Sequence, residues 1–282
     1  MSSTIFFWAT AYIGNRMALN SYEPGELALF RYLVASIFLT LIPVFGLLKI
    51  KNPPQSKHII HFALLGLFGI SLYNIFLYNG QLTIKPGLAS LLTNTAPIFT
   101  AAMSVIFLKE KVNFIGWTCI FISFIGVCII VLGNTTNFQF EIGMIWVLLA
   151  AISLSLYFII QKPVLTHYQG FEITYFSILA GTILLIPFGL NLPISIIEAN
   201  YKNTLSVVYL GIFPGAIAYF TWSMVNSILP TSKSSIFLYL IPVISFMLSY
   251  FVFNEKPSIY TIIGGIFVLI GIFTFNFFVR KN

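Results

Sequence analysis

The side chains able to do chemistry in this chain are few, and they stand inside long apolar stretches. Arg31 lies several residues within the stretch 25–47, and Arg16 lies near the end of 4–19. Amides and aromatics accompany them: Trp8, Asn15, Tyr73, Asn74, Tyr78, Gln81 and Asn94 in the first half, then Tyr157, Gln161, Tyr219, Trp222, Asn226 and Tyr239 in the second. Inside hydrocarbon such groups are costly, so they turn toward a bundle interior or an aqueous cavity. Aromatic walls with a few amide donors suit an amphipathic small molecule, such as an aromatic amino acid or a planar cation. Taken singly, each residue has an ordinary alternative, because Tyr and Trp form interfacial belts and Asn bridges helices. Taken together, they are better explained by a central cavity. All of them except Gln81 and Asn226 are candidate substrate-binding residues. Arg16 can snorkel to the interface. Arg31 either ties helices through backbone carbonyls or meets a substrate carboxylate, and both readings stay open; Glu26 is a possible partner with imperfect geometry.

Other chemistries lack their residues. His58, His61 and His167 fall in or near loops, with no Cys or acidic cluster to complete a metal site. No resident metal or other cofactor is expected. There is no G-x-x-x-x-G-K-[ST] phosphate loop, so Walker-type ATP binding is not expected and no ATPase subunit is implied. Asp is absent and every one of the seven Glu lies near the end of an apolar stretch. A membrane proton relay commonly uses a buried carboxylate, so facilitated diffusion or exchange is expected instead. Glu110 and Glu255 are expected to cap loops or helix ends and to pair locally with Lys. A polytopic enzyme would need convergent acid, base or metal groups. Its only candidates, His58, His61 and Glu26, belong to opposite predicted sides, so the chain is read as no enzyme.

The elements that must position these residues follow from composition. Hydrophobic residues make up 59% of the chain and charged residues 7%, against about a quarter charged in a soluble domain. The net charge of +7 is read as loop Lys obeying the positive-inside rule, and not as a nucleic-acid surface. Crossing a bilayer core takes about 20 apolar residues. Ten such stretches are present: 4–19, 25–47, 59–80, 86–108, 113–132, 142–161, 170–190, 204–225, 232–253 and 258–279. The short links carry Pro53-Pro54, Pro86-Gly87, Gly133-Asn134 and Pro230. With the N-terminus inside, nine Lys or Arg residues fall on the inner side (Lys49, Lys51, Lys57, Lys109, Lys111, Lys162, Lys233, Arg280, Lys281) and three on the outer (Lys85, Lys202, Lys256). Both termini are therefore predicted cytoplasmic. The first stretch would cover only about 22 Å against a core of about 30 Å, so it either sits deep or begins upstream. No cleavable signal peptide is evident. Cys119 and Cys128 lie about 13 Å apart along one helix, too far for a disulfide, and are read as buried small residues.

A repeat organises these stretches. Ser90-x6-Pro97-x12-Glu110-Lys111 recurs 145 residues later as Ser235-x6-Pro242-x12-Glu255-Lys256, and the match continues to Ile125-Gly126 and Ile270-Gly271. Five spans per copy is an odd number, so the second copy enters the membrane upside down. The predicted fold is an all-α membrane protein of ten transmembrane helices, arranged as inverted five-helix repeats over 1–135 and 136–282. Substrate sites of such carriers lie between the repeats. Pro97 and Pro242 are expected mid-helix as kinks or hinges for alternating access. Gly211-x-x-x-Gly215 spans Pro214 and is read as a close-packing element.

Three sets of residues carry a family resemblance over nearly the whole chain. They are Trp8-Ala9-Thr10-Ala11-Tyr12 followed by Arg16, then Leu29-Phe30-Arg31-Tyr32, then the paired Pro-x12-Glu-Lys blocks, each leading into a Gly-containing helix. The chain resembles the EamA branch of the drug/metabolite transporter superfamily, with Ala9 standing where that branch usually has Gly. The resemblance implies a bacterial inner-membrane carrier, often an exporter of amino acids, metabolites or toxic compounds, with spans one to four and six to nine lining the cavity and spans five and ten peripheral. A dedicated importer or exchanger of nucleotide-like metabolites is the competing transport reading. The expected partners are a small-molecule substrate and the lipid bilayer, with no nucleic acid.

Overall fold

In hydrocarbon every backbone N–H and C=O must find its partner within the protein, and a helix does so locally. The computed structural model describes residues 1–84, 86–133, 141–244 and 258–278, and among them there is helix and no strand. Among the described residues six helices are long and apolar enough to cross a membrane: Pro24–Val44, Ser56–Thr83, Ala89–Phe107, Ile142–Val164, Gly170–Phe188 and Tyr201–Ile228. Shorter apolar helical stretches run over Phe114–Ile130, Thr231–Ile244 and Ile262–Phe275. The chain opens with α1 (Ser2–Ala18) and α2 (Pro24–Val44), and Arg16 is exposed at the end of α1.

Two of the long helices carry a π-helical segment. Gly66–Leu72 separates α3 (Ile59–Leu65) from α4 (Tyr73–Thr83). Gly211–Ile217 separates α11 (Tyr201–Leu210) from α12 (Ala218–Ile228). They begin 145 residues apart, the interval of the sequence repeat. Such segments are rare and leave carbonyls out of the ordinary i→i+4 ladder. Glycine permits the close approaches made there. Any Cβ at Gly69 would run into the Tyr157 ring, and one at Gly211 would lie 2.6 Å from the Arg31 carbonyl oxygen.

The fourth apolar stretch is broken into α5 (Pro86–Thr93) and α6 (Ala96–Phe107), with a turn at Asn94 and Thr95. Pro97 falls in the first turn of α6. It is thus not a mid-helix kink, because its missing N–H is one that a helix start leaves unpaired anyway. The ninth stretch is interrupted similarly. After α13 (Thr231–Ser235) comes a 3₁₀ turn, Ile236–Tyr239, and helix over 240–244 places Pro242 near its start. The second Glu-Lys pair, Glu255-Lys256, lies outside the described residues.

Matching caps start α2 and α9 (Gly170–Leu185), the latter followed by the short α10 (Leu192–Glu198). Glu23 and Glu26 form a capping box on the first, Gln169 and Glu172 on the second. α8 (Ile142–Val164) runs between α4 and the α5–α6 pair, and the main core gathers residues of α1, α2, α4, α8, α9, α11 and α12. A second, smaller core forms where α7 (Phe114–Gly133) packs along the last helix, Ile259–Phe278. A Cβ at Gly126 would meet the Gly264 carbonyl oxygen at 2.6 Å, and one at Gly271 would meet that of Cys119 at 2.8 Å. Gly126 and Gly271 are one repeat interval apart, as are Cys119 and Gly264. Both Cys are free thiols, and Cys119 is buried.

Candidate substrate cavity

The site begins with a missing hydrogen. Pro214 has no N–H to return to the carbonyl four residues before it, Leu210 O. That oxygen accepts from Arg31 Nε at 3.1 Å. Arg31 Nη1 donates to Tyr78 Oη at 2.7 Å and to Asn74 Oδ1 at 3.3 Å. Asn74 is oriented in turn by donating Nδ2 to Tyr32 Oη (3.1 Å) and Ile70 O (2.7 Å). The Tyr32 ring lies 5.3 Å from the guanidinium carbon, within cation–π range. Trp8 Nε1 donates to Pro214 O at 3.2 Å, and Tyr219 Oη donates to Gly69 O at 2.8 Å. The carbonyls in and beside the two π segments therefore anchor three of the side chains that sequence reasoning selected.

These anchored groups wall a cavity of about 40 Å³, room for about three waters. Its wall takes Trp8, Ala11, Tyr12 and Asn15 from α1, Arg31 from α2, Tyr73 and Leu77 from α4, and Thr93, Asn94 and Ala96 at the α5–α6 break. Leu154, Tyr219, Leu238 and Ile241 close it from the second half. This volume is far below the roughly 300–1,000 Å³ of ordinary ligand sites, so admitting a metabolite requires the surrounding helices to part. Asn15 is almost fully buried, and its Oδ1 has no hydrogen-bond partner.

Six sequence candidates meet here: Trp8, Asn15, Arg31, Tyr73, Asn94 and Tyr219. The others sit elsewhere. Asn74 and Tyr78 stand behind Arg31 as its acceptors. Trp222 packs on Phe158 with ring centroids 4.3 Å apart and on Trp8 at 5.6 Å. Tyr157 and Gln161 belong to a separate polar belt. In it Gln161 Nε2 donates to Tyr157 Oη (3.1 Å) and Ser223 Oγ (2.6 Å), while Asn226 Nδ2 donates to Gln161 Oε1 (3.2 Å). Tyr239 lies in the smaller core with α7 and the last helix. Sequence reasoning missed Tyr12, although it shares a helical face with Trp8 and Asn15 at i+4 and i−3, and it missed the Thr93 hydroxyl.

Glu110 caps a helix end, as expected. Its carboxylate accepts the N–H groups of Thr231 (2.8 Å) and Ser232 (3.0 Å) and the Ser232 hydroxyl (2.6 Å). The reason is local: the first N–H groups of α13 have no intrahelical acceptor and carry partial positive charge. Nearby, Lys162 Nζ donates to Asn226 O and, at 2.6 Å, to Leu229 O. His167 joins His58 and His61, with ring centroids 5.0 and 5.8 Å from His58. Among the described residues no group of three His, Cys, Asp or Glu side chains is placed to hold a metal ion.

The chain matches the EamA-like transporter family over residues 1–132 and again over 141–277. It is 36% identical over 272 residues to the uncharacterized transporter YdfC of Bacillus subtilis, covering 96% of this chain and 88% of that one. A probable terminal-alkyne amino-acid exporter of Streptantibioticus cattleyicolor is 29% identical over 97% of this chain and 91% of its own length. An S-adenosylmethionine uptake transporter of Rickettsia bellii is 26% identical over 92% and 84%. A solved crystal structure superposes with a TM-score of 0.79 at 18% identity, covering 99% of this chain and 96% of that one, which is a likeness of fold alone.

Proposed function

The chain belongs to the EamA-like transporter family, and from that premise we propose that it is a secondary transporter moving small amino-acid-like or amphipathic metabolites across a bacterial inner membrane. The observation that carries this is a cavity walled from both halves of the chain, with Arg31, Trp8 and Tyr219 tethered to carbonyls in or beside the two π segments. The site does transport, not bond-making. Its wall among the described residues offers aromatic faces, amides and one guanidinium, with no carboxylate or imidazole in reach of a reacting atom.

In this reading residues 1–135 and 136–282 are inverted five-helix repeats, ten spans in all, with both termini cytoplasmic. The two π segments, the matched capping boxes and the glycine contacts between α7 and the last helix all recur at or within one residue of the 145-residue interval, which supports that arrangement. Pro97 and Pro242 then start equivalent half-helices on either side of the cavity and serve as its hinges. The absence of a carboxylate from the described cavity wall favours facilitated transport or exchange. Likeness to an amino-acid exporter favours export; likeness to an uptake transporter of S-adenosylmethionine keeps import as the second reading.

Purified protein in proteoliposomes, offered a labelled amino-acid panel with and without a pH gradient, tests this. Saturable flux without a gradient is the expected result. Flux that appears only with the gradient would overturn the uncoupled mechanism, and no flux for any member would remove amino acids as cargo.

A further inference from the structure

The guanidinium of Arg31 is placed where ordinary helix-tying does not need it. An arginine carries five N–H donors. Nε is bonded to Leu210 O, and Nη1 donates to Tyr78 and Asn74. Nη2 makes no hydrogen bond among the described residues, and no described carboxylate pairs with this cation. Yet Arg31 is 3% exposed and forms part of the cavity wall. A buried cation with no anion is strongly unfavourable unless an anion arrives. The same wall holds a second unmet group, the Asn15 amide, whose oxygen is buried and has no donor.

We infer that Arg31 is the specificity-determining residue of the cavity: its Nη2 edge receives a carboxylate of the cargo, and the Asn15 amide oxygen receives a donor such as an ammonium on the same molecule. The inference rests on the transporter reading and narrows it. The cargo class becomes monocarboxylates with an apolar or aromatic body, zwitterions included, and planar or quaternary cations without a carboxylate are rejected. The chemistry fits a guanidinium better than an ammonium, since its rigid plane presents Nη2 to a carboxylate while Nε and Nη1 stay tethered. The aromatic rings of Trp8, Tyr73 and Tyr219 in the same wall supply the apolar surface for the body of the cargo.

The test loads proteoliposomes containing the whole protein with matched triads. Each triad is an L-amino acid, its decarboxylated amine and its deaminated acid, for example phenylalanine, phenethylamine and 3-phenylpropanoate. Exit of the carboxylate-bearing members about tenfold or more faster than the amine, as expected for loss of a charge-assisted contact, supports the inference. In Arg31→Gln that ratio should fall toward one. A residue that merely ties helices would lower protein yield and leave the ratio unchanged. Amines leaving as fast as their parent acids would overturn the carboxylate site and leave the carrier reading intact. If no compound leaves faster than from protein-free vesicles, the carrier reading fails for these cargoes, and wild-type binding decides the site by itself. Quenching of tryptophan fluorescence in detergent by phenylalanine and 3-phenylpropanoate, but not by phenethylamine or chloride, supports it. Equal quenching by the amine, quenching by chloride alone, or none overturns it. The wild-type measurements stand even where Arg31→Gln fails to fold.

Discussion

Glu172 and Arg31 are both ionisable, both almost completely removed from solvent, and held in opposite ways. Glu172 Oε1 accepts the backbone N–H groups of Lys51 and Asn52, each at 2.7 Å, and Oε2 accepts that of Gln169 at 2.9 Å. Each oxygen is engaged, every partner is backbone, and the carboxylate fastens the segment after α2 to the start of α9. Arg31 has three donors engaged and one edge turned to no partner, beside a cavity. A buried charge whose valences are all met by the chain is architecture. One that keeps valences open at a cavity is a receptor, because the chain bears the desolvation of the charge without collecting the full return.

The comparison breaks most visibly at Glu172. Glu172→Ala removes three partly buried backbone hydrogen bonds to a carboxylate at once, each worth about 1.5–3 kcal/mol, so the loss of stability should be about 3 kcal/mol or more. Thermal unfolding in detergent should fall further than for Glu110→Ala or Pro214→Ala, with the surviving folded protein keeping its acid-over-amine preference. A variant that unfolds at the wild-type temperature would show that backbone contacts to this carboxylate are incidental.

Glu110 gives a smaller version of the same case. It is only partly buried and caps α13 through the N–H groups of Thr231 and Ser232. Losing a helix cap costs about 0.5–2 kcal/mol, and Glu110→Ala should lower the unfolding midpoint by correspondingly less than Glu172→Ala. Glu110→Asp, one methylene shorter, should recover part of it. Equal losses for Glu110→Ala and Glu172→Ala would mean that the number of hydrogen bonds lost, three at each carboxylate, and not burial, sets the penalty.

How much of this was legible in the sequence depends on distance along the chain. The apolar stretches, the 145-residue repeat and the choice of Arg31 among the cations follow from local patterns of hydropathy and spacing, and helix lies over the described residues of the stretches. The partners of Arg31 do not, since Leu210 O is 179 residues away and one carbonyl looks like any other in a sequence. The π segments are equally hidden: one inserted residue shifts the facing of the side chains that follow without altering hydrophobicity. The place of Tyr239 in the smaller core was hidden for a related reason. This residue ends a 3₁₀ turn, where the rotation per residue is about 120° and not the 100° of an α-helix, so its ring turns toward α7 and away from the cavity. That Glu110 caps a helix end was legible, but which end was not, because the start of α13 is 121 residues away in the chain and adjacent only in space. Pro214 did carry a local signal of a freed carbonyl, its missing donor, but the sequence was read there only as a close-packing element.

That proline offers the finest test of the contrast between architecture and receptor. Pro214→Ala restores an N–H that can return to Leu210 O, in competition with Arg31 Nε. An α-helix accepts alanine far better than proline, so the unfolding midpoint should be no lower than wild type. The guanidinium meanwhile loses or shares one of its three tethers, and a single hydrogen bond is worth about 0.5–1.5 kcal/mol. The substrate concentration for half-maximal flux of a carboxylate cargo should therefore rise about threefold, while the preference for acid over amine persists, because Nη2 still meets the cavity. Stability held or gained with affinity lost is a pattern that no change at Glu172 can produce. Unaltered affinity in Pro214→Ala would mean that Tyr78 and Asn74 alone fix the guanidinium, and that the proline serves only to break the helix.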